Sequence, residues 1–334
     1  MHLAFFQEKL SEKKVRCRLC NHFCIIDDGS RGLCRVRLNR DGQLYSLVYG
    51  FPVARNVDPI EKKPFFHFLP GSTSFSISTV GCNFRCMFCQ NFEISQAPED
   101  YTNYGTGISP AEIVRLAKKY GCESISYTYT EPTVYFEYAY DCAVIAKQAG
   151  LKNNFVTNGY MSMEALNKIA PYLDAANVDL KGDENFYTKL CGAHLAPVLQ
   201  NIRAMKEKGI WVEVTTLIIP EYNDSENVFN YLIEQLSKIS LEIPWHISRF
   251  FPTYKMSDHY PTPVEKIRQF RRRAIEAGFR YVYTGNVVMD EGENTTCPKC
   301  GFLLIRREGY LVSENNIVSG ACRKCGYKIA GIWK

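Results

Sequence analysis

The chain has 334 residues, 46% of them apolar, and a formal net charge of +5, enough for one large domain or two to three smaller ones around a sizeable core. No apolar run reaches the ~18 residues that span a bilayer, and the start lacks a signal-peptide pattern. The reading is a cytoplasmic protein with no membrane segment. The mild charge neither demands nor excludes an acidic partner such as RNA.

Fourteen cysteines in such a setting argue for metal rather than disulfides, and they come in groups. Cys17, Cys20, Cys24 and Cys34 lie near the start, then Cys82, Cys86 and Cys89, and finally Cys297, Cys300, Cys322 and Cys325. Cys122, Cys142 and Cys191 stand alone and read as small buried hydrophobes.

Residues 1–70 read as irregular, with one short strand at 44–48 after the Asp41-Gly42 turn. From Ser72 the pattern changes to strands alternating with helices. The first strand, 75–80, feeds the loop Gly81-Cys-Asn-Phe-Arg-Cys-Met-Phe-Cys-Gln90. A helix at 110–120 opens with Ser109 as N-cap, Pro110 in the first position and Glu112 completing a capping box. Strands follow at 124–129, 154–157, 175–180, 211–219, 245–250 and 280–283, with helices between them. The last helix opens on a second capping box, Thr262-Pro263-Val264-Glu265. Its run Arg268, Arg271, Arg272 and Arg273 reads as a solvated face, with an RNA or acidic-partner dock as the alternative. This alternation predicts βαβ units and a parallel sheet, flat or barrel-like. No Gly-x-Gly-x-x-Gly follows the first strand, which weakens a dinucleotide site.

The three groups of thiols differ in kind. Cys82, Cys86 and Cys89 are one ligand short of a closed site. A [4Fe-4S] cluster takes four cysteines, so three leave one iron open, and open positions carry chemistry. Cys297, Cys300, Cys322 and Cys325 form two C-x2-C-Gly hooks, the pattern of a structural zinc ribbon. Cys17, Cys20, Cys24 and Cys34 have a spacing that suits zinc, with an auxiliary Fe-S cluster as the alternative. His22 reads as a bystander.

The C-x3-C-x2-C loop with Phe88 before its last cysteine resembles the cluster motif of the radical S-adenosylmethionine (radical SAM) enzymes. That resemblance implies a partial (β/α)6 barrel. It also implies a cluster whose open iron chelates S-adenosylmethionine and cleaves it to a 5′-deoxyadenosyl radical that abstracts hydrogen. Later strand ends carry segments similar to those of the pyruvate formate-lyase activating enzymes. Tyr127-Thr-Tyr-Thr-Glu131-Pro132 resembles Gly-Gly-Glu-Pro, which makes Glu131 an acceptor for the SAM ammonium; Tyr129 and Thr130 stand where glycines are usual. Thr157-Asn158-Gly159 and Asp179-Leu-Lys181 resemble that group's SAM-facing residues, and His246 its strand-six histidine. Pro220-Glu-Tyr-Asn223-Asp224 resembles a turn of the same group, while Thr215 stands where some members have an Arg. The resemblance narrows to the radical SAM members of the AmmeMemoRadiSam gene neighbourhood. It rests on Gly29-Ser-Arg-Gly32-Leu-Cys34-Arg-Val-Arg37, Asp58-Pro-Ile-Glu-Lys-Lys-Pro64 with His67, and Tyr283-Thr-Gly-Asn286.

The expected architecture is therefore an N-terminal four-cysteine metal-binding module (1–70), a radical SAM partial barrel (71–290) and a C-terminal zinc ribbon (291–334). Cys82, Cys86 and Cys89 hold the cluster. Glu131, Asn158, Asp179, Lys181 and His246 contact SAM. The resemblance implies a ferredoxin or flavodoxin donor and, by analogy with relatives, hydrogen abstraction from a protein glycine. Two alternatives are a radical SAM enzyme acting on RNA and a non-catalytic multi-zinc protein.

Overall fold

The computed structural model describes residues 1–102, 107–287 and 290–333. Its centre is an eight-stranded sheet: β1 (Ala54–Pro59), β2 (Thr73–Ser78), β3 (Ser124–Tyr127), β4 (Lys152–Thr157), β5 (Ala175–Asp179), β6 (Trp211–Ile218), β7 (Trp245–Arg249) and β8 (Val282–Gly285). The strands lie side by side in chain order. β1 is antiparallel to β2 and every later pair is parallel. The main helices α1 (Pro110–Lys119), α2 (Phe136–Gln148), α3 (Met163–Ile169), α4 (Leu195–Glu207), α5 (Glu226–Ser237) and α6 (Val264–Glu276) fall between successive parallel strands. Right-handed crossovers in unbroken order put all the helices on one face, so the sheet curls around the other. β1 and β8 remain its two edges, which makes the barrel partial.

Strand alternation sorts the two faces. Register partners on parallel strands share a face. Thr157, Val178, Val214, Trp245 and Val282 form one row towards the helices. Asp179, Thr215, His246 and Tyr283 form a row inside the barrel. Fully covered parallel strands are usually apolar on both faces; here the inner face is rich in polar groups, and Ser74, Ser76, Ser126, Asn154, Asn177, Glu213 and His246 are buried. Its groups bond one another, as in Ser74–Ser126 (2.6 Å), Ser126–Asn154 (2.7 Å) and Thr215–Asn177 (2.9 Å).

The barrel floor comes from the segment before β2 and from the C-terminal part of the chain. The backbone N–H groups of Phe66 and His67 donate to the Glu213 carboxylate. Arg307 lies over the Phe66 ring, donates to its carbonyl (2.8 Å), and reaches the Glu293 carbonyl and Thr295 hydroxyl. Residues 295–322 add short antiparallel strands and carry the last cysteine group.

Two expectations need correction. Residues 1–70 are not irregular: His2–Leu3, Arg37–Arg40 and Gln43–Ser46 form one small antiparallel sheet, and Gln7–Lys9, Val15–Cys17 and Ile25–Ile26 another. Most of these strands have two or three residues, too few to show a period of two. The Ser109 cap forms, accepting from Glu112 N–H. The second capping box does not: Thr262 is buried, its hydroxyl donating to Ile218 O and accepting from Phe250 N–H, so it ties strand ends and leaves α6 uncapped by a side chain. Asn223 likewise caps no helix. It binds Ile219 N–H, Lys181 O and Leu217 O, and Ser225 takes the cap of α5.

Candidate active site at the barrel mouth

The three-cysteine loop leaves β2 at the C-terminal end of the sheet, where barrels keep their chemistry. Gly81 opens it at φ +105°, and a Cβ there would stand 2.7 Å from Val36 Cγ1. Only glycine lets the loop press this closely on the N-terminal segment. Further on, Arg85 N–H donates to Cys191 O (2.8 Å) and Met87 N–H to Leu190 O (3.0 Å). Two of the sulfurs have a donor beside them: Phe84 N–H lies 3.3 Å from Cys82 Sγ and Ser95 Oγ 3.1 Å from Cys89 Sγ. Burial pushes the Cys82 and Cys89 thiols up; these donors oppose it, and iron as a ligand partner would complete the shift to thiolate. The residues thus fit a cluster with one position open.

Cys191 was read from sequence as an inert core thiol, and it is buried. The structure also places it against Cys86. A hydrogen bond from Cys191 is the main reason the Cys86 thiol is held below its ordinary range, with Lys181 adding to it. A single cysteine with no motif gave no signal of this.

The other predicted residues separate into two flanks and one outlier. Glu131 is buried at the end of β3 and accepts from Thr133 N–H (3.0 Å), Thr133 Oγ1 (2.5 Å), Thr157 Oγ1 (2.8 Å) and Asn158 N–H (2.8 Å). Three of these fall on Oε1, so Oε2 keeps room for another donor. Burial pushes its carboxyl above the usual range, against those bonds. Asn158 reaches the loop itself, donating to Asn83 Oδ1 (2.7 Å) with Cys82 Sγ at 3.9 Å. On the Cys86 side, Lys181 pairs with Asp179 at 2.7 Å and lies over the Phe88 ring. His246 is the outlier: it donates to Glu213 Oε2 (2.8 Å) and packs on Phe66 and Tyr283, all within the barrel.

Tyr129, where a glycine was expected, takes φ +63°. Its hydroxyl bonds Asp58 and its ring carries Lys63 Nζ at 4.1 Å. Lys63 belongs to the run Asp58-Pro-Ile-Glu-Lys-Lys-Pro64. It is buried, pairs with Asp58 at 2.7 Å, and burial lowers its pKa to about 8. The basic run on α6 is also engaged: Arg268 with Asp290, Arg271 with Val282 O, Arg272 with Glu265 and Arg273 with Glu226.

An α/β barrel with an open three-cysteine loop at its mouth is the architecture of one class of enzyme. The radical SAM superfamily profile matches residues 76–232. An uncharacterized protein of Methanocaldococcus jannaschii is 48% identical over 332 residues, 98% of this chain and 99% of that one. A putative glycyl-radical enzyme activating enzyme of the same organism is 25% identical over 186 residues, 54% of this chain and 68% of that one. A solved radical SAM methyltransferase from Sphaerobacter thermophilus shares the fold, with a TM-score of 0.52 at 17% identity over 65% of this chain and 67% of that one. The chain belongs to the radical SAM superfamily and is an enzyme, not a multi-zinc adaptor. Among the described residues no helix is long and apolar enough to cross a membrane.

Proposed function

We propose that this enzyme reductively cleaves S-adenosylmethionine and abstracts hydrogen from a protein substrate, in the manner of a glycyl-radical activating enzyme. The observation that carries this is the loop of Cys82, Cys86 and Cys89 with a fourth position left open and polar side chains on both flanks. A [4Fe-4S] cluster held there supplies the electron for the cleavage and so the radical that takes hydrogen. Asn158 and Glu131 bind the amino-acid end of SAM on one side; Asp179 and Lys181 orient it on the other.

A protein substrate is favoured over RNA for two reasons. One relative is a putative glycyl-radical enzyme activating enzyme. The arginines that would dock RNA are each spent on a partner within the chain. The electron donor is a ferredoxin or flavodoxin, and the setting is cytoplasmic.

The C-terminal quartet holds structural zinc. All four Sγ atoms lie within 4.8 Å of one another. Zinc with four sulfurs at ~2.3 Å sets tetrahedral edges of about 3.8 Å; Cys297–Cys325 and Cys300–Cys322 stand at 3.7 and 3.9 Å.

Anaerobically reconstituted protein with dithionite and SAM should release 5′-deoxyadenosine. Cys86→Ala should abolish this while zinc content stays unchanged. An intact, reducible cluster that yields no 5′-deoxyadenosine sinks the proposal.

A further inference from the structure

The N-terminal quartet differs in geometry from the zinc-like one. Cys17, Cys20, Cys24 and Cys34 line a single cavity. Yet among the described residues only Cys297, Cys300, Cys322 and Cys325 gather as ligands within 4.8 Å of one another. One zinc would draw four thiolates to edges of about 3.8 Å. The N-terminal sulfurs converge on a common space but stand further apart. A cubane, with four irons between the sulfurs, needs that wider spread.

The wall of the cavity gives a second, independent observation. Arg37 and Asn83 both line it, and both are buried, at 1% and 3% exposure. Arg37 Nε and Asn83 Nδ2 have no hydrogen-bond partner. The rest of the Arg37 guanidinium is held by Glu137 at 2.5 Å, which fixes where the unpaired N–H lies. Buried donors left unmet are destabilising. Two of them on the wall of one thiol-lined cavity call for acceptors inside it. Inorganic sulfides are such acceptors, and hydrogen bonds to cluster sulfurs are a usual feature of Fe-S sites.

We propose that Cys17, Cys20, Cys24 and Cys34 hold a second [4Fe-4S] cluster, closed by protein on all four irons, with Arg37 Nε and Asn83 Nδ2 donating to its sulfides. Spacing alone favoured zinc here; the geometry reverses that preference. The site is tied to the open one. Asn83 directly follows Cys82, and His22, between Cys20 and Cys24, donates to Asn83 O at 2.8 Å. Asn21 N–H and Leu19 O pair with Tyr160 O and Ser162 N–H, just past Asn158.

The test uses the full chain with Cys82, Cys86 and Cys89 all changed to Ala, reconstituted anaerobically with iron and sulfide. Iron, sulfide and zinc are counted, and the dithionite-reduced protein is examined by electron paramagnetic resonance. Wild type should hold about eight irons and the triple variant about four, each with about one zinc. The signal of the triple variant should not respond to SAM. A triple variant without iron, or wild type with about four irons and two zincs, overturns the proposal. Because the triple variant lacks the open loop, its iron reports on the quartet alone. Loss of a SAM-responsive signal in wild type, with about four irons kept in the triple variant, would instead count against the reading of the open site. Should the triple variant fail to fold, the wild-type iron and zinc count decides by itself.

Discussion

Arg37 and Glu137 are 100 positions apart in the chain and meet at 2.5 Å with essentially no exposure. Glu137 also accepts Phe5 N–H at 2.7 Å, so one carboxylate joins α2 to the N-terminal segment. Removing one partner of such a pair strands the other charge. Glu137→Gln should therefore cost about 3–5 kcal/mol, read as a shift in the urea midpoint of the holo protein. A cost below 1 kcal/mol would mean that Arg37 finds another counter-charge. At the mouth, Asn158→Ala removes the donor to Asn83 Oδ1 and the group nearest Cys82 Sγ. We expect KM for SAM to rise about tenfold, equivalent to one lost hydrogen bond of about 1.4 kcal/mol, with iron content unchanged. Equal KM values would remove Asn158 from SAM binding. Of these residues, Asn158 was visible in the sequence because it sits in a motif. Glu137 was not: nothing local marks a helix glutamate whose partner lies 100 residues earlier.

Elements were legible where they are long and alternate. The parallel strands show period two because one face meets helices and the other lines the interior, as in Ser74-Phe75-Ser76-Ile77-Ser78. The same pattern hid the identity of the polar face. Alternation reads as a solvated side, whereas these serines and asparagines are buried and bond one another. The edge strand β1 was missed because Ala-Arg-Asn-Val-Asp-Pro carries little apolar signal; its pairing with β2 supplies what propensity does not. The C-terminal hooks were legible from spacing, but not their docking, which depends on Arg307 beneath the barrel. That docking makes a prediction. The short strands around Cys297–Cys325 have few core residues, so the metal supplies most of their folding energy. Chelating the zinc should speed amide exchange in Leu303–Glu308 at least tenfold and release the Ile332 N–H from His67 O. Exchange in β4 and β5 should stay slow. Unchanged exchange after zinc loss would show that packing alone holds this segment.

Across the whole molecule, the barrel floor is a shared polar structure in which distant parts of the chain depend on one proton. His67 Nδ1–H donates to Ala330 O (2.7 Å), and Tyr283 O–H donates to His67 Nε2 (2.5 Å). The bond from Tyr283 requires neutral imidazole, whereas the bond to Ala330 O survives protonation and favours it. Burial is the main cause that lowers His67 to about 4; Arg307 and His246 act in the same direction and Glu213 opposes them. In the unfolded chain the ring titrates near 6.5. The folded state thus binds fewer protons between these values. The stabilisation from neutral His67 is fully present above about 6.5 and is lost as pH falls through 4. Between pH 7 and 5 it amounts to about 2 kcal/mol, in a range where most carboxylates remain ionised. Glu293, raised to about 7 chiefly by burial, acts with the opposite sign over the same range, so the His67 contribution is read as a difference: wild type should lose about 2 kcal/mol relative to His67→Gln between pH 7 and 5. His67→Gln should be less stable than wild type at pH 7, and the gap between their urea midpoints should close as pH falls to 5. Two profiles that run parallel from pH 7 to 5 would show that His67 carries none of this dependence. A gap that closes is specific to the imidazole joining the barrel to the chain end, because Glu293 is common to both proteins.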